Sequence, residues 1–169
     1  PFGRMLTAMV TPFKKDGSID WDGVEKIADH LVKNGHDGIV VNGTTGEAPT
    51  TKSSEKEEII KVVKRVVGAN IKVVSGAGDN ETDYSINQAK RSEAAGADGI
   101  LVVTPYYNKP PQAGIKAHFL AMANATGLPM MLYDIPGRTG VEIESDTIVE
   151  LFEHPSIVAL KDAKGNVAA

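Results

Sequence analysis

The sequence predicts a parallel α/β fold assembled from repeated βα units. Three observations carry that expectation. Six apolar runs with strand character recur about 30 residues apart, the length of one βα unit. Amphipathic helical patterns fill the intervals between them. The third observation is an internal repeat: Gly35-His36-Asp37-Gly38-Ile39-Val40-Val41 returns as Gly96-Ala97-Asp98-Gly99-Ile100-Leu101-Val102, an offset of 61 residues or two units.

The strand runs cover residues 6–10, 38–41, 71–74, 99–103, 130–133 and 157–160. After the first, Asp20 can cap a helix that buries Val24, Ile27, Ala28 and Leu31, with Gly35 as its stop. After the second, Ser54-Glu55-Lys56-Glu57 fits a capping box ahead of Ile59, Ile60, Val63 and Val67, ending near Gly68. Residues 82–95, 112–126 and 145–152 fill the remaining helical slots, and a further helix is expected to begin at 165–169. No linker or low-complexity segment interrupts the pattern.

Six βα units do not close an eight-stranded barrel, which typically takes about 250 residues. Two readings stay open on periodicity alone. The units form an open doubly wound sheet, or the chain is the first three quarters of a longer barrel.

Composition narrows function. With 18 Lys+Arg against 22 Asp+Glu and no basic run, nucleic acid is not an expected partner. The absence of cysteine excludes a disulfide framework and any thiolate metal site or thiol nucleophile. No run of about 18 apolar residues and no signal-peptide pattern occurs, so no membrane association and a cytoplasmic location are expected. His30, His36, His118 and His154 lack metal-ligand spacing and read as surface or packing residues.

In both architectures chemistry collects at the carboxyl ends of the strands. Those ends carry Thr11; Asn42-Gly43-Thr44-Thr45-Gly46-Glu47; Gly76-Ala77-Gly78; Thr104-Pro105-Tyr106-Tyr107; Tyr133 with Arg138 beyond it; and Lys161. Lys161 is the most informative. An ammonium in an apolar strand is costly to desolvate, which favours the neutral, nucleophilic amine that imine chemistry needs. The alternative is an ordinary solvated Lys-Asp-Ala-Lys-Gly loop with a salt bridge. The turn at Thr44 and Thr45 could hold a small anion or be a plain strand-to-helix turn. Tyr106, Tyr107 and Tyr133 could move protons or simply pack. Arg138, in a loop stiffened by Pro136, could clamp a carboxylate or form a surface salt bridge. Gly76 and Gly78 are too weak a pattern for a dinucleotide site, since the third glycine position is Glu81.

Five segments together resemble the dihydrodipicolinate synthase family of pyruvate-dependent lysine-imine aldolases and lyases. They are Ala8-Met9-Val10-Thr11-Pro12-Phe13, Val41-Asn42-Gly43-Thr44-Thr45-Gly46-Glu47, Val103-Thr104-Pro105-Tyr106-Tyr107-Asn108-Lys109-Pro110, Leu132-Tyr133-Asp134-Ile135-Pro136-Gly137-Arg138-Thr139-Gly140 and Val158-Ala159-Leu160-Lys161-Asp162-Ala163, in the family's order. The resemblance implies an α/β fold, the (β/α)8 TIM barrel. Residues 1–169 then cover about its first six βα units, without the last two and without a C-terminal helical extension. It implies condensation of pyruvate with aspartate 4-semialdehyde to 4-hydroxy-tetrahydrodipicolinate, the committed step of diaminopimelate and lysine biosynthesis. Lys161 would form the imine, and Tyr133, Thr44 and Tyr107 would relay protons, Tyr107 reaching in from a neighbouring subunit of a homodimer or homotetramer. Thr45 would hold the pyruvate carboxylate and Arg138 that of the semialdehyde. No metal or organic cofactor is implied. Related sialic acid and sugar-acid lyases usually carry serine at the place of Thr44 and lack an arginine at that of Arg138. A truncated, inactive barrel fragment is the alternative of a different class. At the places of the family's lysine-binding pocket stand Ala48, Ser53, Lys56, Asn80, Tyr84 and Tyr106; the cation of Lys56 implies weak or absent lysine inhibition.

Overall fold

The computed structural model describes residues 2–166. The elements run β1 (Leu6–Ala8), α1 (Trp21–Lys33), β2 (Gly38–Val41), α2 (Ser53–Val67), β3 (Lys72–Gly76), α3 (Thr82–Ala94), β4 (Gly99–Val103), α4 (Gln112–Ala123), β5 (Met130–Asp134), α5 (Pro136–Thr139), α6 (Ser145–Leu151) and β6 (Ile157–Asp162). They form two compact units. One holds the residues up to Gly76 with Arg91–Gly99, the other Ala77–Lys90 with the residues from Ile100 on.

In the first unit β1, β2 and β3 pair in parallel. Ile39, Val40, Val41, Val73 and Val74 are all buried on the strands, and Val24, Ala28, Ile59, Ile60 and Val63 are buried on α1 and α2. Near-continuous apolar strands of this kind are what a parallel sheet covered by helices requires. Asp20 caps α1 as expected, accepting the Gly23 N–H at 3.2 Å, and Gly35 ends it in the left-handed region at φ 84°. The box on α2 sits slightly earlier than the sequence suggested. Glu55 accepts the backbone N–H of Lys52 at 2.7 Å, so Ser53 and Ser54 are already helical. The first strand is shorter than expected, because Val10 is half exposed and Thr11 turns to donate its hydroxyl to Gly46 O at 2.7 Å.

The internal repeat has a structural meaning. Each of its aspartates precedes a strand and accepts backbone N–H groups at the entry to another strand. Asp37 takes those of Arg4 and Met5 at 2.7 and 3.1 Å; Asp98 takes that of Val73 at 2.8 Å and the Lys64 ammonium at 2.7 Å. Those two N–H bonds hold the Asp37 carboxyl below the usual carboxylate range.

In the second unit β4, β5 and β6 pair in parallel. Its core is Ile100, Val102, Ile115, Phe119, Met122, Met130, Leu132, Ile143, Leu151 and Ile157. Burying each such side chain is worth roughly 1.5–3 kcal/mol. Helix α4 stops at Ala123 and not at 126, because Asn124 turns its side-chain amide and its backbone N–H onto Leu120 O at 2.9 and 3.0 Å. The segment after β5, expected as a loop, is a helical turn. Pro136 opens it, the N–H groups of Arg138 and Thr139 both reach Ile135 O, and Gly140 closes it at φ 75°. Of the helix expected to begin at 165–169, residues 167–169 lie outside the described residues. Among the described residues no helix is long and apolar enough to cross a membrane.

Candidate active site

Strands β5 and β6 set the centre of the second unit's site. Met130 pairs with Ile157 but Met131 pairs with Ala159, so Val158 is an extra residue in β6. The irregularity shifts every later pair by one. Tyr133 therefore faces Lys161 in the ladder; without the extra residue it would face Leu160. The consequence is contact: Lys161 Nζ lies 4.3 Å from the centre of the Tyr133 ring. Tyr133 is buried at 5% exposure and Lys161 half-buried. The Tyr133 carbonyl accepts from the N–H and hydroxyl of Thr104 at 3.2 and 3.3 Å, which fixes the strand end. An amine on the face of a phenol ring, partly shielded from water, is a sound arrangement for a nucleophile with a proton carrier beside it.

The solvated-loop alternative for Lys161 is half right. A salt bridge does exist in Lys161-Asp162-Ala163-Lys164, but Lys164 makes it, to Asp134 at 3.4 Å and Asp162 at 3.9 Å. Lys161 is still in β6, since the strand runs to Asp162.

Arg138 and Tyr107 lie in the same unit. Arg138 projects from α5, is exposed, and enters no ion pair among the described residues. Tyr107 is 88% exposed at φ 72°, and Lys109 two residues on is at φ 45°. Positive φ at two non-glycine residues marks a constrained loop, fastened by Asn108 donating to Asn80 O at 3.1 Å. Neighbouring Tyr106 behaves differently. Its hydroxyl donates to Asp79 at 3.0 Å, and burial first, with that bond second, pushes the phenol up to about 12.

Thr44 and Thr45 belong to the first unit. With Gly46 they form a 3-10 turn directly after β2, both side chains exposed, followed by a second such turn, Ala48–Thr50. Asn42, one of the residues without a role in the sequence reading, stands just before the turn and ties the end of β2 to α2 and β3. It is buried at φ 55° and donates to Lys56 O at 3.0 Å and Ser75 Oγ at 3.2 Å. Thr11 was visible only as a strand-end residue; its bond to Gly46 O ties the same turn to the chain after β1.

Gly76 and Gly78 have packing roles. A Cβ on Gly76 would sit 2.1 Å from Asn42 O, and one on Gly78 would sit 2.5 Å from Val103 N. Close backbone approach accounts for both glycines. The histidines act locally: His36 Nδ1 is 2.8 Å from Leu31 O, His154 Nε2 is 3.2 Å from Asn124 Oδ1, and His118 is buried with Nδ1 2.9 Å from Thr82 Oγ1. Burial lowers the His118 imidazole from its ordinary range. Among the described residues no group of three or more histidines, aspartates or glutamates could hold a metal ion.

The model of the Dihydrodipicolinate synthetase family matches residues 1–169. A 4-hydroxy-tetrahydrodipicolinate synthase of Acidothermus cellulolyticus is 59% identical over 169 residues, all of this chain and 55% of that protein. A solved structure described as dihydrodipicolinate synthase from Cyanidioschyzon merolae with lysine bound superposes at a TM-score of 0.95 with 53% identity, covering 98% of this chain and 57% of that one. The chloride-inhibited dihydrodipicolinate synthase of Acinetobacter baumannii, solved in complex with pyruvate, gives 0.97 and 44%, over 99% of this chain and 57% of that one. The chain thus spans about half the length of the relatives it matches.

Proposed function

The chain belongs to the Dihydrodipicolinate synthetase family, with the first six βα units of a (β/α)8 barrel, and from that premise we propose that it condenses pyruvate with aspartate 4-semialdehyde. The single observation that carries the reading is Lys161 Nζ held over the Tyr133 ring at adjoining ends of parallel strands. The Lys161 amine adds to the pyruvate ketone, and loss of water leaves an imine. Loss of a methyl proton then gives the enamine, with the imine nitrogen as electron sink. The enamine carbon bonds to the aldehyde carbon of the semialdehyde, whose oxygen takes a proton. The semialdehyde's own amine next displaces Lys161 from the imine carbon, which closes the ring of 4-hydroxy-tetrahydrodipicolinate and frees the enzyme.

In this reading Tyr133, Thr44 and Tyr107 move the protons, Thr45 holds the pyruvate carboxylate through its hydroxyl and the turn's backbone, and Arg138 binds the semialdehyde carboxylate. Tyr107 serves the site of a second copy, in a homodimer or homotetramer. The reaction calls for no metal or organic cofactor, and a cytoplasmic location suits a step of lysine and diaminopimelate biosynthesis. In this reading the six units belong to one barrel, with two further βα units and a helical extension beyond them. Lysine inhibition is weak or absent because of the Lys56 cation; complete inhibition at sub-millimolar lysine overturns that.

Incubation with pyruvate, reduction with borohydride and peptide mass spectrometry test the core of the proposal. An adduct on Lys161 is expected. Its absence, or an adduct on another lysine, overturns the reading.

A further inference from the structure

Asp134 closes β5 with a fully buried side chain, and the groups that face its carboxylate, the Ile143 N–H and the Lys164 ammonium, make no close hydrogen bond to either oxygen. Burial pushes its carboxyl up, opposed by the Ile143 N–H and by Lys164. Its counter-charge is the Lys164 ammonium, 3.4 Å from Oδ2 on a side chain only 20% exposed. That ammonium also lies 3.9 Å from Asp162. The condensation proposed above uses none of these groups, yet all of them sit at the ends of the strands that carry Tyr133 and Lys161.

The connections are dense. In the ladder Asp134 pairs with Asp162, one step beyond the Tyr133 and Lys161 pair. Ala163 N–H donates to the Asp134 carbonyl at 2.9 Å, and Lys164 N–H donates to Asp162 Oδ1 at 2.7 Å. The three residues after Lys161 therefore fold over the end of β5 and deliver Lys164 to the buried carboxylate. A buried carboxylate without its partner is strongly disfavoured, so the ion pair decides whether this wrap holds.

We propose that Asp134 and Lys164 are a positioning pair for Lys161: their contact fastens the end of β6 to that of β5, and each cancels the charge its partner would otherwise impose on the strand ends that carry the amine. The inference rests on the imine reading of Lys161. Of the titratable groups on these strand ends, Tyr133 of β5 meets the amine directly, while Asp134 of β5 and Asp162 of β6, with Lys164 against them, lie one ladder step on, across the strands from it. Asp162 remains unaltered in the test, so its charge is a constant background in every variant.

The experiment measures the rate of borohydride trapping with pyruvate against pH in the purified protein, in D134N, in K164M and in the double variant. K164M leaves an unpaired carboxylate, and the acid limb of trapping is expected to move about one pH unit upward. D134N removes one negative charge and leaves the ammonium to Asp162 alone, and the limb is expected to move downward by about as much. The double variant restores the original position. A merely structural pair would change stability without opposite shifts. Limbs that stay put, or that move the same way in both single variants, overturn the inference. If K164M does not fold, D134N and the double variant decide it, since a downward shift that is not reversed also overturns it. No adduct in the unaltered protein overturns the imine reading, and the pair with it; an adduct with an unmoved limb in D134N overturns the pair alone.

Discussion

Single residues carry most of the proposed selectivity, and Arg138 is the clearest case. It stands exposed on the short α5 turn without an ion pair among the described residues, so its charge is available to a ligand. A charge-assisted bond to a carboxylate is worth about 1.5–3 kcal/mol. R138A is therefore expected to raise KM for the semialdehyde by roughly 10- to 150-fold, while pyruvate trapping on Lys161 stays unchanged; equal losses in both would place Arg138 on pyruvate instead. Tyr106 gives a pH prediction. Its phenol is raised to about 12, so the stability it contributes is fully present below its ordinary value of about 10 and is lost as pH rises through 12. Alkaline melts should show that loss between those values, and Y106F should remove it; identical melts would mean that neither the burial of the phenol nor its Asp79 bond contributes. Lys161 was legible in the sequence because a lysine is rare in an apolar strand. Lys164 was not, because nothing local distinguishes it from a solvated lysine. Its partner lies 30 residues earlier in the chain, and only the strand ladder brings the two together.

At the scale of elements, legibility followed the range of the forces involved. Helix α1 was readable from its cap to its stop because Asp20 and Gly35 act within a turn. The extra residue Val158 was not, since no composition signal marks it and only pairing with β5 reveals it. The short α5 turn hid behind Pro136 and Gly137, which read as loop formers in isolation. Barrel and open sheet stayed unresolved for a related reason: both use the same βα period, and it was the five segments that pointed to a barrel. The glycines give a test at this scale. A Cβ at Gly76 would overlap Asn42 O at 2.1 Å, a backbone atom that cannot swing away, whereas one at Gly137 meets nothing within 4 Å. G76A should cost at least about 1–3 kcal/mol, and G137A should be near neutral or slightly stabilising. Denaturant titration of both measures it. Equal midpoints would mean that the strand end gives way freely and that the turn above it, with Thr44 and Thr45, is not held by close packing.

For the molecule as a whole the decisive question is whether a site is complete within one copy. Tyr107 is 88% exposed, on a loop fastened at Asn108 and constrained at two positive-φ residues. A phenol in open water is a poor proton relay, and strain of this kind persists only where surrounding structure maintains it. A loop built to present one tyrosine outward fits a group lent to a second copy. Mixing distinguishes lending from self-use. K161A alone lacks the nucleophile, and Y107F alone lacks the phenol, so each is expected to be nearly inactive. In a symmetric pair made of one of each, the site with intact Lys161 receives intact Tyr107 from its partner. Equal mixing with free exchange yields half mixed pairs, each with one complete site, so activity should return to roughly a quarter of normal. If Tyr107 serves its own copy, no mixed pair holds a complete site and mixing restores nothing. A recovery that depends on time and dilution, as subunit exchange must, would tie the relay to assembly. It would also explain why a chain with Lys161 and Tyr133 already in contact still carries its second relay phenol, Tyr107, out in solvent.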